Sequence, residues 1–433
     1  MSDHRNRARK LITELLSRRS RQWKIFALLF SSTFLGYSVG FLAVPLLIYI
    51  YEPTFFGEWA LFSGISAIVT TILTWRFEYA LPIAKNDRHR AQLLAFSMLV
   101  ALLITVFLLA IGLLFSAHSF AYSRLYLPVI LSPIGGLSYG YYQLWTNAAI
   151  SKSAYRSVAL AKILQILLVT TSQLTLGFLA RYIHNESSLP LIWGSLIGWL
   201  GASYFLARSI TDISTRRCEK ISMTTIRKYR TFALYSMPAA LFMRLSTQLP
   251  NVLLSFLYGL EIAGAYAIAH RLLGMPAALI SQSLAQTFLG LISERSVPIA
   301  RLYINLRKIL LYLTIPFMVY AYLVSRFLQF YPNWAYASMV VLLLSPYFFL
   351  QLSAQPLSVL YVSSGFQYRE MFIEAIRFSL GVIAILSPKF LFENLSNDTL
   401  MAPFTATNAL VYILWHTDAS VVLNKRRDFK GVE

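Results

Sequence analysis

Twelve long apolar stretches follow one another along the chain, and no other feature limits its fold so strongly. They lie at about 26–50, 57–75, 92–116, 120–147, 156–180, 189–207, 232–257, 263–290, 307–328, 336–361, 372–391 and 403–423. A helix needs about 20 mostly apolar residues to cross a ~30 Å hydrocarbon layer, and each stretch is close to that length. A membrane barrel would instead show short alternating segments of about ten residues. With 57% apolar and 13% charged residues, the chain has more greasy surface than a compact soluble domain can hide. It is also too hydrophobic to be disordered. The fold class expected is an all-α polytopic membrane protein of about twelve transmembrane helices. Pro128 and Pro133 in the fourth stretch, and Pro346 and Pro356 in the tenth, predict tilted or kinked helices.

The net charge of +20 would by itself suggest a nucleic-acid binder. Its distribution says otherwise. With the N-terminus placed in the cytoplasm, 31 of the 38 Lys and Arg fall on the cytoplasmic side and 4 on the outer side. Basic residues are retained in cytoplasmic loops, so both termini are expected inside. The chain then divides into a basic N-terminal segment (1–25), an N-lobe of six helices (26–207), a cytoplasmic linker (208–231), a C-lobe of six helices (232–423) and a tail (424–433). Trp23, Trp75, Trp145 and Trp334 fall near span ends, where interfacial tryptophans gather. The apolar stretch after the basic segment is too long for a cleaved signal peptide. Leu11 to Leu16 has helical apolar spacing beside Arg18, Arg19 and Arg21. It fits either an interfacial helix on anionic lipid or a plain topology signal. The single cysteine, Cys218, excludes a disulfide framework and a Cys-rich metal site.

A shift of 207 residues aligns two segments. Tyr51, Gly57, Trp59 and Ala60 match Tyr258, Gly264, Tyr266 and Ala267, and the preceding Leu46-Leu47 matches Leu253-Leu254. Each segment joins an odd span to an even one across the outer face. Six spans separate the copies, so the halves run in the same direction, as two pseudo-symmetric six-helix lobes able to rock about a central cavity.

No phosphate-binding loop, H-E-x-x-H or G-x-S-x-G pattern is present, and the six histidines lack metal-ligand spacing. Short outer loops disfavour an enzyme such as a polymerase or ligase, so no catalytic residue, metal or cofactor is expected. Chemistry is instead expected from charges inside the membrane, which are costly there and normally face a cavity or a partner. Arg244 in the seventh span and Arg271 in the eighth, next to His270, come from adjacent antiparallel helices. Together they would form a substrate-binding cationic cavity, since guanidinium groups grip phosphate oxygens in bidentate fashion. A structural pairing with a carbonyl or with Asp418 is the alternative. Asp418 would couple transport to H+ or Na+, or would simply mark an early end of the last span. Arg76 and Glu78 close the second span as an inner gate or as interface anchors. Lys162 can snorkel, and Glu374 with Arg377 reads as a local i,i+3 ion pair.

At these residues the chain resembles a known family. Trp75-Arg76-Phe77-Glu78-Tyr79-Ala80-Leu81 is similar to the R-[FY]-E-x-A-[IL] signature of Wzx-type polysaccharide flippases. Phe56 to Leu61 resembles their segment entering the second span, and Gly264 to Pro276 their G-x-Y-x-x-A-x-[RK] segment. Gln143 and the run from Trp145 to Tyr155 also resemble the family. It belongs to the multidrug/oligosaccharidyl-lipid/polysaccharide (MOP) exporter superfamily. The resemblance implies a bacterial inner-membrane flippase that moves an undecaprenyl-diphosphate-linked oligosaccharide, an O-antigen, capsule or exopolysaccharide unit, to the outer leaflet by alternating access. Its partners would be that lipid-linked sugar, membrane lipids, and the polymerase and chain-length regulator of the same pathway, with no nucleic acid. A multidrug-type exporter of the same superfamily is the rival. It would favour acidic residues in the N-lobe cavity, and the first six spans show no mid-membrane acid.

Overall fold

A computed structural model describes residues 27–84, 86–115, 124–184, 186–210, 222–230, 232–293, 298–364, 366–391 and 401–429. The stretch at 11–16 and Cys218 lie outside these residues. All regular structure among the described residues is helical: twelve long rods, with a short helix at Met223–Lys228 and a few single turns between them. The first six are α1 (Ala27–Ile50), α2 (Pro53–Leu73), α3 (Asp87–Phe115), α4 (Tyr126–Ser151), α5 (Tyr155–Tyr182) and α6 (Leu189–Ser209). The second six begin with α7 (Met237–Leu257) and α8, which joins Leu260–Ala269, a π-helical turn at His270–Gly274, and Met275–Ser293. They continue with α9 (Ile299–Gln329), α10 (Ala335–Gln351, extended by Ala354–Ser364), α11 (Gln367–Leu391) and α12 (Met401–Phe429).

Nine described helices are long and apolar enough to cross a membrane. The other three rods, α4, α7 and α12, carry more polar side chains. In α4 these face inward: Ser132 and Ser138 are buried, with Gly135, Gly136 and Gly140 beside them. The prolines noted in the sequence sit within or beside helices. Pro133 lies inside α4 and Pro346 inside α10, and α10 is interrupted at Leu352 and Ser353, just before Pro356. The π turn in α8, immediately ahead of Pro276, was not expected.

Small residues let the helices approach closely, which is what holds helices together where lipid is as apolar as a leucine. Gly194 and Gly198 of α6 stand one turn apart, and a Cβ at either would fall 2.5 Å from the Gln173 side chain or 2.2 Å from Val169. This glycine face seats α5 and fixes Gln165, Val169 and Gln173 on its inner side. Between α2 and α4 the Ser66 hydroxyl donates to Ser132 O (3.0 Å), and the Thr70 hydroxyl donates to Gly136 O (3.0 Å).

One core is drawn from residues between Phe77 and Tyr229, and a second from the C-terminal six helices together with α1. The halves meet along α2, which packs against both α7 and α8. The repeated segments make this contact. A Cβ on Gly57 would lie 1.9 Å from Leu260 O, and a Cβ on Gly264 would lie 1.8 Å from Pro53 O. Positions 57 and 53 become 264 and 260 under the 207-residue shift. The contact is thus made twice, each half offering its glycine to the other's helix start. Pro53 begins α2 as proline does at a first helical turn, and Gly259 begins α8 at φ +99°, a conformation suited to glycine. At the same end Trp334 donates from Nε1 to Ile48 O (3.2 Å) and sets its ring edge-on to Phe56 at 5.2 Å. This end of the molecule is closed.

Candidate functional site

Inside the closed end, a cavity of about 440 Å³ lies between the halves. Its walls come from α1, α2, α5 and α6 on one side and from α7 and α8 on the other. That volume is typical of ligand sites, as is the mixture of aromatic walls and a few polar groups.

Arg271 stands in this cavity, in the π turn of α8. Such turns widen a helix by one residue and recur at functional sites. The residue is 8% exposed. Its Nη2 donates to Gly40 O at 3.4 Å, and its guanidinium lies 5.9 Å from the Trp59 ring. Nε has no partner, and no carboxylate is paired with Arg271 among the described residues. A buried cation with only a carbonyl and an aromatic face for company is under-compensated. It is a ready receptor for an anion, and phosphate suits its planar fork. His270, its neighbour, lines the cavity as well, with its ring edge-on to Phe348 at 5.3 Å.

Arg244 is placed differently from the expected arginine pair. It is half-buried on the α7 face that carries Gln248 and Asn251, one turn beyond Gln248 and outside the cavity wall. Its charge acts on Glu78. Of the two arginines expected to line one cavity, Arg271 lines it and Arg244 does not. Arg244 lies on the same regular helix as Gln248 but one turn nearer its start at Met237, beyond the residues that line the cavity.

Arg76 and Glu78 occupy the turn between α2 and α3. Trp75 (φ 47°) and Arg76 (φ 61°) are successive left-handed residues with side chains, a strained arrangement that the surroundings must hold. It allows Arg76 Nη1 to come within 3.7 Å of Glu78 Oε1, although the two residues would not meet on one regular helix. The Arg76 guanidinium also covers the Tyr79 ring at 4.0 Å. Glu78 is 1% exposed. Burial pushes its carboxyl up, against the pull of Arg76 and Arg244.

Asp418 does not line the central cavity. Arg369 Nη1 donates to its Oδ1 (2.5 Å) and the Tyr361 hydroxyl to its Oδ2 (2.8 Å). Lys162 reaches the Thr33 hydroxyl at 3.4 Å. The Glu374–Arg377 pair forms at 2.5 Å, but not at the helix end. Helix α11 begins at Gln367, so Arg377 lies ten residues inside it, about 15 Å from its start. There it donates to the Tyr412 hydroxyl (2.8 Å) and lines a small chamber of about 40 Å³ with Tyr266, Tyr347 and Asn408. Arg369, Glu370 and Glu374 lower the hydropathy of this stretch and hid its true start. Counting helical depth from Gln367 would have marked Arg377 as it marked Arg271.

The α5–α6 wall carries hydrogen bonds that sequence reasoning missed. Trp59 Nε1 donates to the Ser195 hydroxyl (3.0 Å), and Gln173 Nε2 donates to Leu191 O (3.0 Å). The Tyr51 hydroxyl donates to Gln173 O (2.6 Å).

Residues 23–329 match the family model of the polysaccharide biosynthesis protein family. No curated protein matches the sequence. Among solved structures, the lipid II flippase MurJ in an inward closed conformation is 12% identical with a TM-score of 0.70, covering 90% of this chain and 87% of that one. An inward-facing multidrug resistance MATE family transporter of the MOP superfamily is 15% identical with a TM-score of 0.54, covering 92% and 95%. A MOP superfamily transporter from Pyrococcus furiosus is 15% identical with a TM-score of 0.51, covering 93% and 96%. At such identities the likeness is one of fold.

Proposed function

The chain belongs to the polysaccharide biosynthesis protein family, and on that premise we propose that it is a flippase for an undecaprenyl-diphosphate-linked oligosaccharide in the bacterial inner membrane. The cargo class is an O-antigen, capsule or exopolysaccharide repeat unit, moved from the inner to the outer leaflet. The observation that carries this reading is Arg271: a buried guanidinium without a carboxylate, inside a cavity between two halves related by an internal repeat. A multidrug exporter of cations would have little use for an uncompensated positive charge at that place.

In this reading both termini are cytoplasmic, as the basic loops favour, and the Gly57–Gly264 contact closes the outer face. The sugar-diphosphate headgroup enters from the Glu78 side, passes Arg244 and reaches Arg271, while the polyprenyl chain stays in lipid. Guanidinium groups offset the hydration that the phosphates lose. The halves then rock, separating the two glycine contacts and rearranging the Arg76–Glu78–Arg244 cluster. Coupling to H+ or Na+ would act through Asp418, whose neutralisation would release Arg369. The polymerase and chain-length regulator of the pathway would receive the product outside.

Deletion of the gene tests the reaction. Lipid-linked oligosaccharide should accumulate on the cytoplasmic leaflet and surface polysaccharide should disappear. Normal surface polysaccharide in the deletion strain, or loss of drug resistance as its sole effect, would refute the reading.

A further inference from the structure

Arg271 accounts for one corner of the central cavity. Among the other described residues around it, no side chain carries a permanent charge. The wall is built instead from primary amides. Gln165 and Gln173 stand on one face of α5, about two turns apart, and Gln248 and Asn251 stand one turn apart on α7. Each half of the molecule supplies two.

These amides are not all consumed by the fold. Gln173 has its orientation fixed by its own donor, Nε2, bound to Leu191 O, and this leaves Oε1 without a partner in the protein. Asn251 Oδ1 is likewise unpartnered; both oxygens are shielded here, so a donor reaches them only when the side chains turn into the cavity. Acceptors are satisfied only by donors. Ionised phosphate oxygens and hydrocarbon chains offer none, so a lipid diphosphate alone leaves these groups unmet. Sugar hydroxyls donate and also accept, and an acetamido group donates through its N–H and accepts through its carbonyl, which is what an amide wall matches on both its ends. Two indoles complete the wall. Trp59 is anchored through Nε1 to Ser195, beside Arg271, and Trp199 is backed by Phe62 and Tyr139 at 6.3 and 5.3 Å. Such aromatic surfaces bury the C–H face of a pyranose while the amides take its hydroxyls.

We propose that the amides of α5 and α7, with Trp59 and Trp199, form a subsite for the uncharged sugar attached to the diphosphate that Arg271 receives. The proposal rests on the flippase reading and adds a specificity to it. The first sugar is neutral, because an acidic one would bring a charge for which the wall holds no second cation. It also makes the cargo a bridge between the halves, since two amides and both tryptophans belong to the N-terminal six helices while Arg271, Gln248 and Asn251 belong to the others.

The test measures binding to the full-length protein in nanodiscs by titration calorimetry. The probes are farnesyl diphosphate, farnesyl diphosphate linked to N-acetylglucosamine, and farnesyl diphosphate linked to glucuronic acid. The neutral sugar should tighten binding at least 10-fold over the bare diphosphate, and the acidic sugar should not. Asn251→Ala and Gln248→Ala, whose side chains make no hydrogen bond among the described residues, should erase the neutral sugar's gain and leave the bare diphosphate unchanged. A sugar that adds nothing, an acidic sugar that binds as tightly as the neutral one, or variants that keep the gain would overturn the subsite alone. Farnesyl diphosphate binding that Arg271→Gln leaves unchanged would overturn the diphosphate reading, and the subsite with it.

Discussion

Replacing Gly57 with alanine should prise open the closed end. The added Cβ would sit 1.9 Å from Leu260 O, where ordinary contact begins at 3.4 Å. Its obstacle is a backbone carbonyl, so no side chain can swing away, and α2 must move from α8 by roughly 1.5 Å. The movement breaks the reciprocal contact at Gly264, where the Cα hydrogen faces Pro53 O, and loosens Trp334 from Ile48 and Phe56. Overpacking of this kind costs about 1–3 kcal/mol, here charged only to the state closed at this end. The ratio of open to closed molecules should therefore rise about 5- to 150-fold. The assay uses a chain with Cys218 replaced by serine and a single cysteine in place of Ser63, a cavity residue inside the contact. A membrane-impermeant maleimide is applied from the side of the contact. Gly57→Ala and Gly264→Ala should each speed alkylation at least 5-fold. Gly112→Ala, whose Cβ meets only the Ile130 side chain at 3.3 Å, should not. An unchanged rate in a normally folded Gly57→Ala protein would refute the claim that these glycines hold the end shut.

Two further expectations concern the opposite end. Arg244→Glu would set a second acid against Glu78 and remove a cation from the headgroup's path, so surface polysaccharide should be lost at normal protein level; full export would remove Arg244 from the mechanism. Glu78→Gln should change stability with pH. Burial raises the Glu78 carboxyl above the usual 4.5, so the folded protein holds this proton more tightly than the unfolded chain. The contribution to stability is present at low pH and lost as pH rises through the raised folded value. Thermal unfolding in detergent should find Glu78→Gln more stable than the parent at pH 7.5, with the gap closing towards pH 4.5. A gap of opposite sign at pH 7.5 would mean that ion pairing with Arg76 and Arg244 outweighs burial.

Much of the architecture was legible because membrane helices declare themselves by length and apolarity. The twelve rods follow the apolar stretches with ends moved by up to eight residues, the most at the start of α9. The internal repeat was visible as matched identities at Gly57 and Gly264, but its meaning was not. Only the fold reveals that each glycine closes on the partner segment's first residue. Arg271 was found from helical depth alone. Arg377 was missed because neighbouring charges concealed the start of α11, and Arg244 was paired with Arg271 because sequence does not show that the cavity wall stops at Gln248, one turn short of it. The amide wall carried no sequence signal. Gln165, Gln173, Gln248 and Asn251 are ordinary residues until the Gly194–Gly198 face draws α5 and α6 together and α2 brings the halves into contact.

The central claim is that this chain moves a lipid-linked sugar diphosphate across a bilayer through the site at Arg271. Proteoliposomes holding the purified full-length protein and a fluorescent polyprenyl-diphosphate oligosaccharide, labelled on the sugar, test it directly, with a membrane-impermeant quencher reporting which leaflet holds the label. The parent protein should bring label into the quenched leaflet faster than empty vesicles do, and Arg271→Gln should reduce the rate to the empty-vesicle value. Equal rates with and without protein under an imposed proton or sodium gradient, or undiminished transfer by Arg271→Gln, would contradict the account.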